Sequence, residues 1–152
     1  MAPARREGIV RGLSVVATVL LAFCAPAEAK ELRLEMFEGR CELQLAGRSV
    51  SCDRVSYLYD TARDRKAFIV TWGTDALRFE GTREEQTADG LYFLLVDKIT
   101  YSREDDVDYV PKDASGRCDG VLAPDGKRIH IMRCEGETDD GAYLLTFDGD
   151  SI

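Results

Sequence analysis

Five cysteines, one histidine and 28 carboxylates are what this 152-residue chain offers for chemistry. The cysteines are Cys24, Cys41, Cys52, Cys118 and Cys134, and no two of them form Cys-x-x-Cys. With His130 as the only histidine, their spacing fits neither a zinc site nor a thioredoxin-type redox motif. Any Ser-His-Asp or Cys-His enzyme would have to use His130. That residue lies between Ile129 and Ile131 in a strand-like run, and no Gly-x-Ser-x-Gly accompanies it. It reads as a packed or solvated strand residue, so no catalytic residue is assigned.

The carboxylates are spread rather than patterned. Glu104, Asp105, Asp106 and Asp108 form a run, and Asp148 and Asp150 stand two apart. Neither has the spacing of an EF-hand loop, whose oxygens must wrap a calcium ion from fixed positions. The stretch Ser102–Ser115 reads as a solvated acidic loop, with a weak cation site as its alternative. Tyr57, Tyr59, Trp72, Tyr92, Tyr101 and Tyr143 are expected in the core, as aromatics in strands usually are; lining a ligand pocket is the alternative. Phosphate-loop, dinucleotide and haem-attachment signatures are absent, and no cofactor is expected.

The compartment follows from the first 29 residues. Arg5 and Arg6 are followed by an apolar run from Leu13 to Phe23 and a small-x-small exit, Ala27-Glu28-Ala29. That order is a secretory signal peptide, 1–29, with a run too short to anchor in a bilayer, which needs about 20 residues. A lipoprotein would be modified at Cys24, but Phe23 stands where a small residue is required. A twin-arginine signal fits Glu7 and Gly8 poorly. The expected working chain is therefore Lys30–Ile152, one domain, exported to the periplasm or beyond the cell, with no membrane span after the signal is removed.

Charge narrows the partners. Without Arg5, Arg6, Arg11, Glu7 and Glu28 the remaining chain has 17 basic and 26 acidic residues, a net charge of −9. Nucleic acid and anionic lipid both require concentrated positive charge, so neither is expected. Such a surface could attract a basic protein partner, though solubility in a crowded compartment is the favoured account of the charge. In an exported chain the four cysteines left after Cys24 read as two disulfides.

The elements that must position these groups are strands. After the leader, short runs of β-branched and aromatic residues alternate with turn clusters such as Ala46-Gly47, Asp89-Gly90, Pro124-Asp125-Gly126 and Asp140-Gly141. The strands expected are Glu31–Phe37, Cys41–Leu45, Ser49–Tyr59, Lys66–Trp72, Ala76–Glu80, Leu91–Tyr101, Arg117–Leu122, Arg128–Cys134 and Ala142–Phe147. Ile129 and Ile131 are expected on one face, with Arg128, His130 and Met132 on the other. The fold class is all-β: a single antiparallel meander of about 8–9 short strands closed as a small barrel or sandwich. In size, export, acidity and disulfides the chain resembles small periplasmic β-barrels such as bacterial lysozyme inhibitors, a likeness of architecture that carries no residue across.

Two segments echo each other. Glu84–Asp97 and Glu135–Asp148 share Glu, Thr, Asp, Gly, Tyr, Leu and Asp at a constant offset, and Gly39-Arg40-Cys41 echoes Gly116-Arg117-Cys118. The reading is of three-strand units near 39–60, 66–97 and 116–148. Each Gly-Arg-Cys strand turns back through its own hairpin to the next cysteine, which favours Cys41–Cys52 and Cys118–Cys134. Counting from the Pro-Asp-Gly loop leaves Cys118 and Cys134 one pair out of register, so a longer loop or a bulge near Gly120 is required.

The leading functional expectation is a non-enzymatic envelope protein acting by protein contact. A small-ligand carrier with a pocket inside a barrel is the alternative, and a carboxylate-dependent hydrolase comes third.

Overall fold

The computed structural model describes residues 32–103, 110–123 and 127–150. The leader, the acidic residues Glu104–Asp108 and the turn Pro124–Gly126 lie outside them.

Eleven strands form one antiparallel sheet. In chain order they are β1 (Leu32–Phe37), β2 (Arg40–Leu45), β3 (Arg48–Ser51), β4 (Arg54–Asp60), β5 (Arg65–Trp72) and β6 (Asp75–Gly81). The remainder are β7 (Glu84–Gln86), β8 (Leu91–Ser102), β9 (Lys112–Leu122), β10 (Ile129–Thr138) and β11 (Gly141–Asp148). The spatial order is β1-β4-β5-β6-β8-β9-β10-β11-β2-β3, with β7 paired to β8. The sheet curls into a half-barrel. Two connections make it curl. Glu38-Gly39 carries the chain from β1 to β2, and Cys52-Asp53 carries it from β3 to β4, each joining opposite ends of the strand order. Two residues cannot span more than about 11 Å between flanking Cα atoms, so the edges meet at that end.

The all-β class stands, and the strand inventory is refined in four places. The run Ser49–Tyr59 is two strands, broken at Cys52-Asp53 where the chain crosses from one edge to the other. Glu84–Gln86 is an additional short strand. The acidic loop is shorter than Ser102–Ser115, because β8 includes Ser102 and β9 begins at Lys112. The fourth concerns β10. The register slips between Ile129 and Ile131, not near Gly120, so His130 is the bulged residue. The slip inverts the facing: Ile129 and Met132 are both buried, and Ile131 is 56% exposed. A single extra residue does this because side chains alternate with period two. A second slip between Val96 and Lys98 does the same on β8, whose inward set changes from Tyr92, Leu94 and Val96 to Ile99.

Alternation builds the core. Along β2, Cys41, Leu43 and Leu45 are buried while their neighbours are exposed. Across the sheet, register aligns Glu35, Tyr57, Phe68, Phe79 and Ile99 on the inner face. Phe68, Phe79, Leu77, Leu94, Leu145, Val55 and Val70 are fully buried there. On β1 it is Glu35 and Phe37 that point inward, and Leu34 and Met36 are the exposed set.

Both expected disulfides are present. Cys41 and Cys52 close the β2–β3 hairpin, whose turn residues Ala46 and Gly47 have φ of 45° and 89°, the positive values a tight hairpin turn requires. Cys118 and Cys134 stand directly opposite each other on β9 and β10. The bridges are compatible with an oxidising, exported location. No helix among the described residues is long and apolar enough to cross a membrane. The segment 39–60 covers β2, β3 and β4, of which β3 and β4 are not neighbours, whereas 116–148 covers the contiguous β9, β10 and β11.

Candidate functional site

The inner face of the half-barrel carries a recess of about 200 Å³. Its walls come from strands far apart in the chain: Glu35 and Phe37 on β1, Tyr57 on β4, Phe68 on β5, Glu84 and Gln86 on β7, Tyr92 on β8, and Leu122 and Ile129 where β9 meets β10. β7 makes the recess possible. Gly81 ends β6 with its Cα facing the Leu95 carbonyl so closely that a Cβ would lie 1.8 Å from that oxygen. The chain can therefore bend there and lay Glu84–Gln86 against the first half of β8, where Gln86 pairs with Tyr92.

Two phenols and two carboxylates supply the polar groups. The Tyr57 hydroxyl donates to Glu84 Oε1 at 2.9 Å. The Tyr92 hydroxyl is buried beside the Glu84 carboxylate without a hydrogen bond of good geometry, and the whole residue is only 5% exposed. Burial first, and the Glu84 carboxylate second, push both phenols far above their ordinary ionisation, so both are neutral protonated donors. Glu35 stands directly across from Tyr57 in the β1–β4 register and makes no hydrogen bond or ion pair among the described residues. The rings form a continuous wall: Tyr57 to Phe68 is 5.4 Å between centroids, and Phe68 to Tyr92 is 5.6 Å edge-on. No basic side chain lines the recess among the described residues. The nearest, Lys66, lies over the Tyr59 ring and is held by Asp64 Oδ1 at 2.8 Å.

The polar groups of the wall are two carboxylates, one amide and two neutral phenols. Glu84 accepts from Tyr57, the phenols are too hard to ionise to serve as bases near neutrality, and no serine, cysteine or histidine is in the wall. Among the described residues no three His, Cys, Asp or Glu groups are arranged to hold a metal ion.

The residues singled out from sequence are dispersed. His130 is half-buried at the β10 bulge, with Nδ1 at 2.9 Å from Asp150 Oδ1, and it lines none of the recess. Asp148 accepts the backbone N–H of Asp150, which folds the two acids into a turn instead of a shared site. Of the six aromatics, Tyr57 and Tyr92 reach the recess. Trp72 and Tyr101 stack on each other at 5.7 Å, with the Tyr101 hydroxyl donating to Asp75. Tyr59 is occupied by Lys66, and Tyr143 packs against the core beside Leu45. Glu35, Glu84 and Gln86 carry no sequence signal as site residues. They are brought together by sheet curvature, and only the Glu84 repeat position marks any of them.

Three larger grooves are found among the described residues. One of about 650 Å³ runs over Arg117, Arg133, Glu135 and Leu144, and one of about 610 Å³ lies between Met36, Asp53 and Lys127. A third, of about 440 Å³, lies over Leu91, Ile131 and Met132. Comparison with protein-family models, curated proteins and solved structures gives no match to this chain.

Proposed function

We propose that this is a non-enzymatic exported protein that works by contact with a basic protein partner. The observation that carries the reading is the recess itself. At about 200 Å³ it falls below the roughly 300–1,000 Å³ that houses a carried small molecule. It is of a size to take the end of one side chain. The acidic balance of the chain, 28 acidic against 20 basic residues, favours a positively charged partner and speeds its approach. Leu34 and Met36, 56% and 61% exposed on the outer face of edge strand β1, add apolar area beside Glu35.

The test is affinity capture from the exported fraction of the producing cells, coupled to native mass spectrometry of the purified protein. Recovery of a basic protein at defined stoichiometry supports contact. A small molecule co-purifying with the chain overturns that reading in favour of a carrier, and turnover of a glycoside or ester by the purified protein overturns it in favour of an enzyme.

A further inference from the structure

We infer that the recess between β1, β4, β7 and β8 is a subsite for a single guanidinium group, the side-chain end of an arginine on the partner. The inference rests on the contact reading above and names the chemistry of its anchor.

The arrangement of acceptors is the first argument. Glu84 uses Oε1 to accept from Tyr57, and the Tyr92 hydroxyl stands beside the same carboxylate. Glu35 is unpartnered across the mouth. The Tyr92 hydroxyl is enclosed, 95% of its residue is buried, and its oxygen accepts from nothing in the protein. A buried polar atom left without a partner is costly, and a native structure keeps few of them. A guest carrying several donors in one plane would satisfy Tyr92, Glu84 and Glu35 together. Guanidinium has five N–H donors in such a plane, and an ammonium has three on a point charge.

The walls are the second argument. Phe68, Tyr57 and Tyr92 present ring surface around the acceptors, with centroid spacings of 5.4 and 5.6 Å. A guanidinium is weakly hydrated and packs on aromatic faces, gaining cation–π attraction where it is desolvated. Glu35 and Glu84 put two carboxylates in the wall, and no cation stands with them among the described side chains. Lys66, an ammonium close enough to feel Glu84, is turned away to Asp64 and to the Thr82 carbonyl. It does not occupy the place.

The same guanidinium chemistry could reach the recess on a free small molecule, so the experiment separates the two sources. The probe is N-acetyl-arginine amide, with the isosteric, uncharged N-acetyl-citrulline amide as control, titrated into the isotope-labelled protein. The expected result is saturable movement of the backbone amide signals of Glu84, Gln86 and Tyr92 with the arginine probe and none with citrulline. Glu84→Gln should weaken the arginine probe by about tenfold, the scale of one charge-assisted hydrogen bond. Tyr92→Phe should weaken it severalfold while folding normally, because it removes a hydroxyl that the folded protein leaves unpaired. Equal shifts with both probes, or arginine binding unchanged in both variants, overturns the inference.

The partner capture described above is then repeated with Glu84→Gln. Loss of the captured basic protein confirms that the guanidinium belongs to the partner. Capture that survives the variant leaves the contact reading standing and removes the recess as its anchor. Arginine-probe binding with no protein captured shows a small-molecule cation site and overturns the contact reading.

Discussion

Cys118 and Cys134 face each other directly across the β9–β10 ladder, with Cα atoms 3.9 Å apart, and they are the centre of a local two-fold pattern. Arg117-Cys118-Asp119-Gly120 on β9 is answered by Arg133-Cys134-Glu135-Gly136 on β10. The flanking strands obey the same relation. Leu94 pairs with Cys118 as Leu145 pairs with Cys134, and Tyr92 pairs with Gly120 as Tyr143 pairs with Gly136. On the outer face the register sets Arg117 against Glu135 and Arg133 against Asp119. The sequence echo between Glu84–Asp97 and Glu135–Asp148 is thus two outer strands, β8 and β11, related through one bridge.

The bridge closes a loop of 16 residues, and Cys41–Cys52 closes one of 11. Loop-closure entropy then assigns about 3 kcal/mol to each, slightly more to the longer. The double substitution Cys118→Ala with Cys134→Ala should cost at least that much by urea denaturation, since both sulfurs are fully buried and leave a cavity. A loss under about 1 kcal/mol would show that the pattern is not centred on a structural bridge.

The two-fold relation predicts equal costs at its arms. Leu94 and Leu145 are both fully buried beside the bridge, so Leu94→Ala and Leu145→Ala should each destabilise by about 3–5 kcal/mol. The tyrosines should differ, because Tyr92 is buried in the recess wall and Tyr143 is only half-buried. Tyr92→Ala should cost clearly more than Tyr143→Ala in the same denaturation series. Equal tyrosine costs with unequal leucine costs would reverse the assignment.

Gly116 and Gly136 pair across the same ladder, yet their tolerance should differ. A Cβ on Gly116 would lie 2.0 Å from the Glu135 carbonyl oxygen, which is backbone and cannot yield. On Gly136 the nearest atom is Ile99 Cδ1 at 2.6 Å, the end of a side chain that has other rotamers. Gly116→Ala should therefore cost upwards of about 2 kcal/mol and Gly136→Ala less, as overpacking scales with the rigidity of what is met. Thermal melts of the two variants, side by side, decide it.

Much of this was readable from residue order. Turn chemistry at Ala46-Gly47 and the count back to Cys52 determined the first bridge, because a hairpin ladder is a local object. Pairing arithmetic also required a one-residue slip near the second bridge. It did not locate the slip at His130, since Ile129 and Ile131 alternate as well in an unbroken strand as in a bulged one. Nor does the uninterrupted run Ser49–Tyr59 disclose its break. That break is imposed by the sheet, where Asp53 N–H donates to the Thr71 carbonyl at 2.8 Å and Asp53 Oδ2 accepts from Gly73 N–H. The recess was beyond reach for the same reason: Tyr57 and Glu84 are 27 residues apart and meet only once the sheet has curled.

The alkaline limb of the stability curve tests the burial of the recess phenols. Burial and the Glu84 carboxylate hold Tyr92 protonated well above its ordinary value of 10.0. The unfolded chain releases that proton near pH 10 and the folded chain keeps it. Stability owed to the neutral phenol is therefore complete below pH 10 and falls as pH rises above it, by up to about 1.4 kcal/mol per pH unit. Lys66, raised by its hydrogen bond to Asp64, and Lys112, raised by its hydrogen bond to Asp140, lose stability in the same direction above their ordinary 10.5. The informative quantity is accordingly the difference between wild type and Tyr92→Phe, followed by urea denaturation from about pH 9 to 11. Below pH 10 the variant should match or slightly exceed wild type, having shed an unpaired buried hydroxyl. Above it the variant should lose stability less steeply. Parallel curves would mean that Tyr92 ionises in the folded protein, and a phenol free to ionise there is neither enclosed nor set against Glu84.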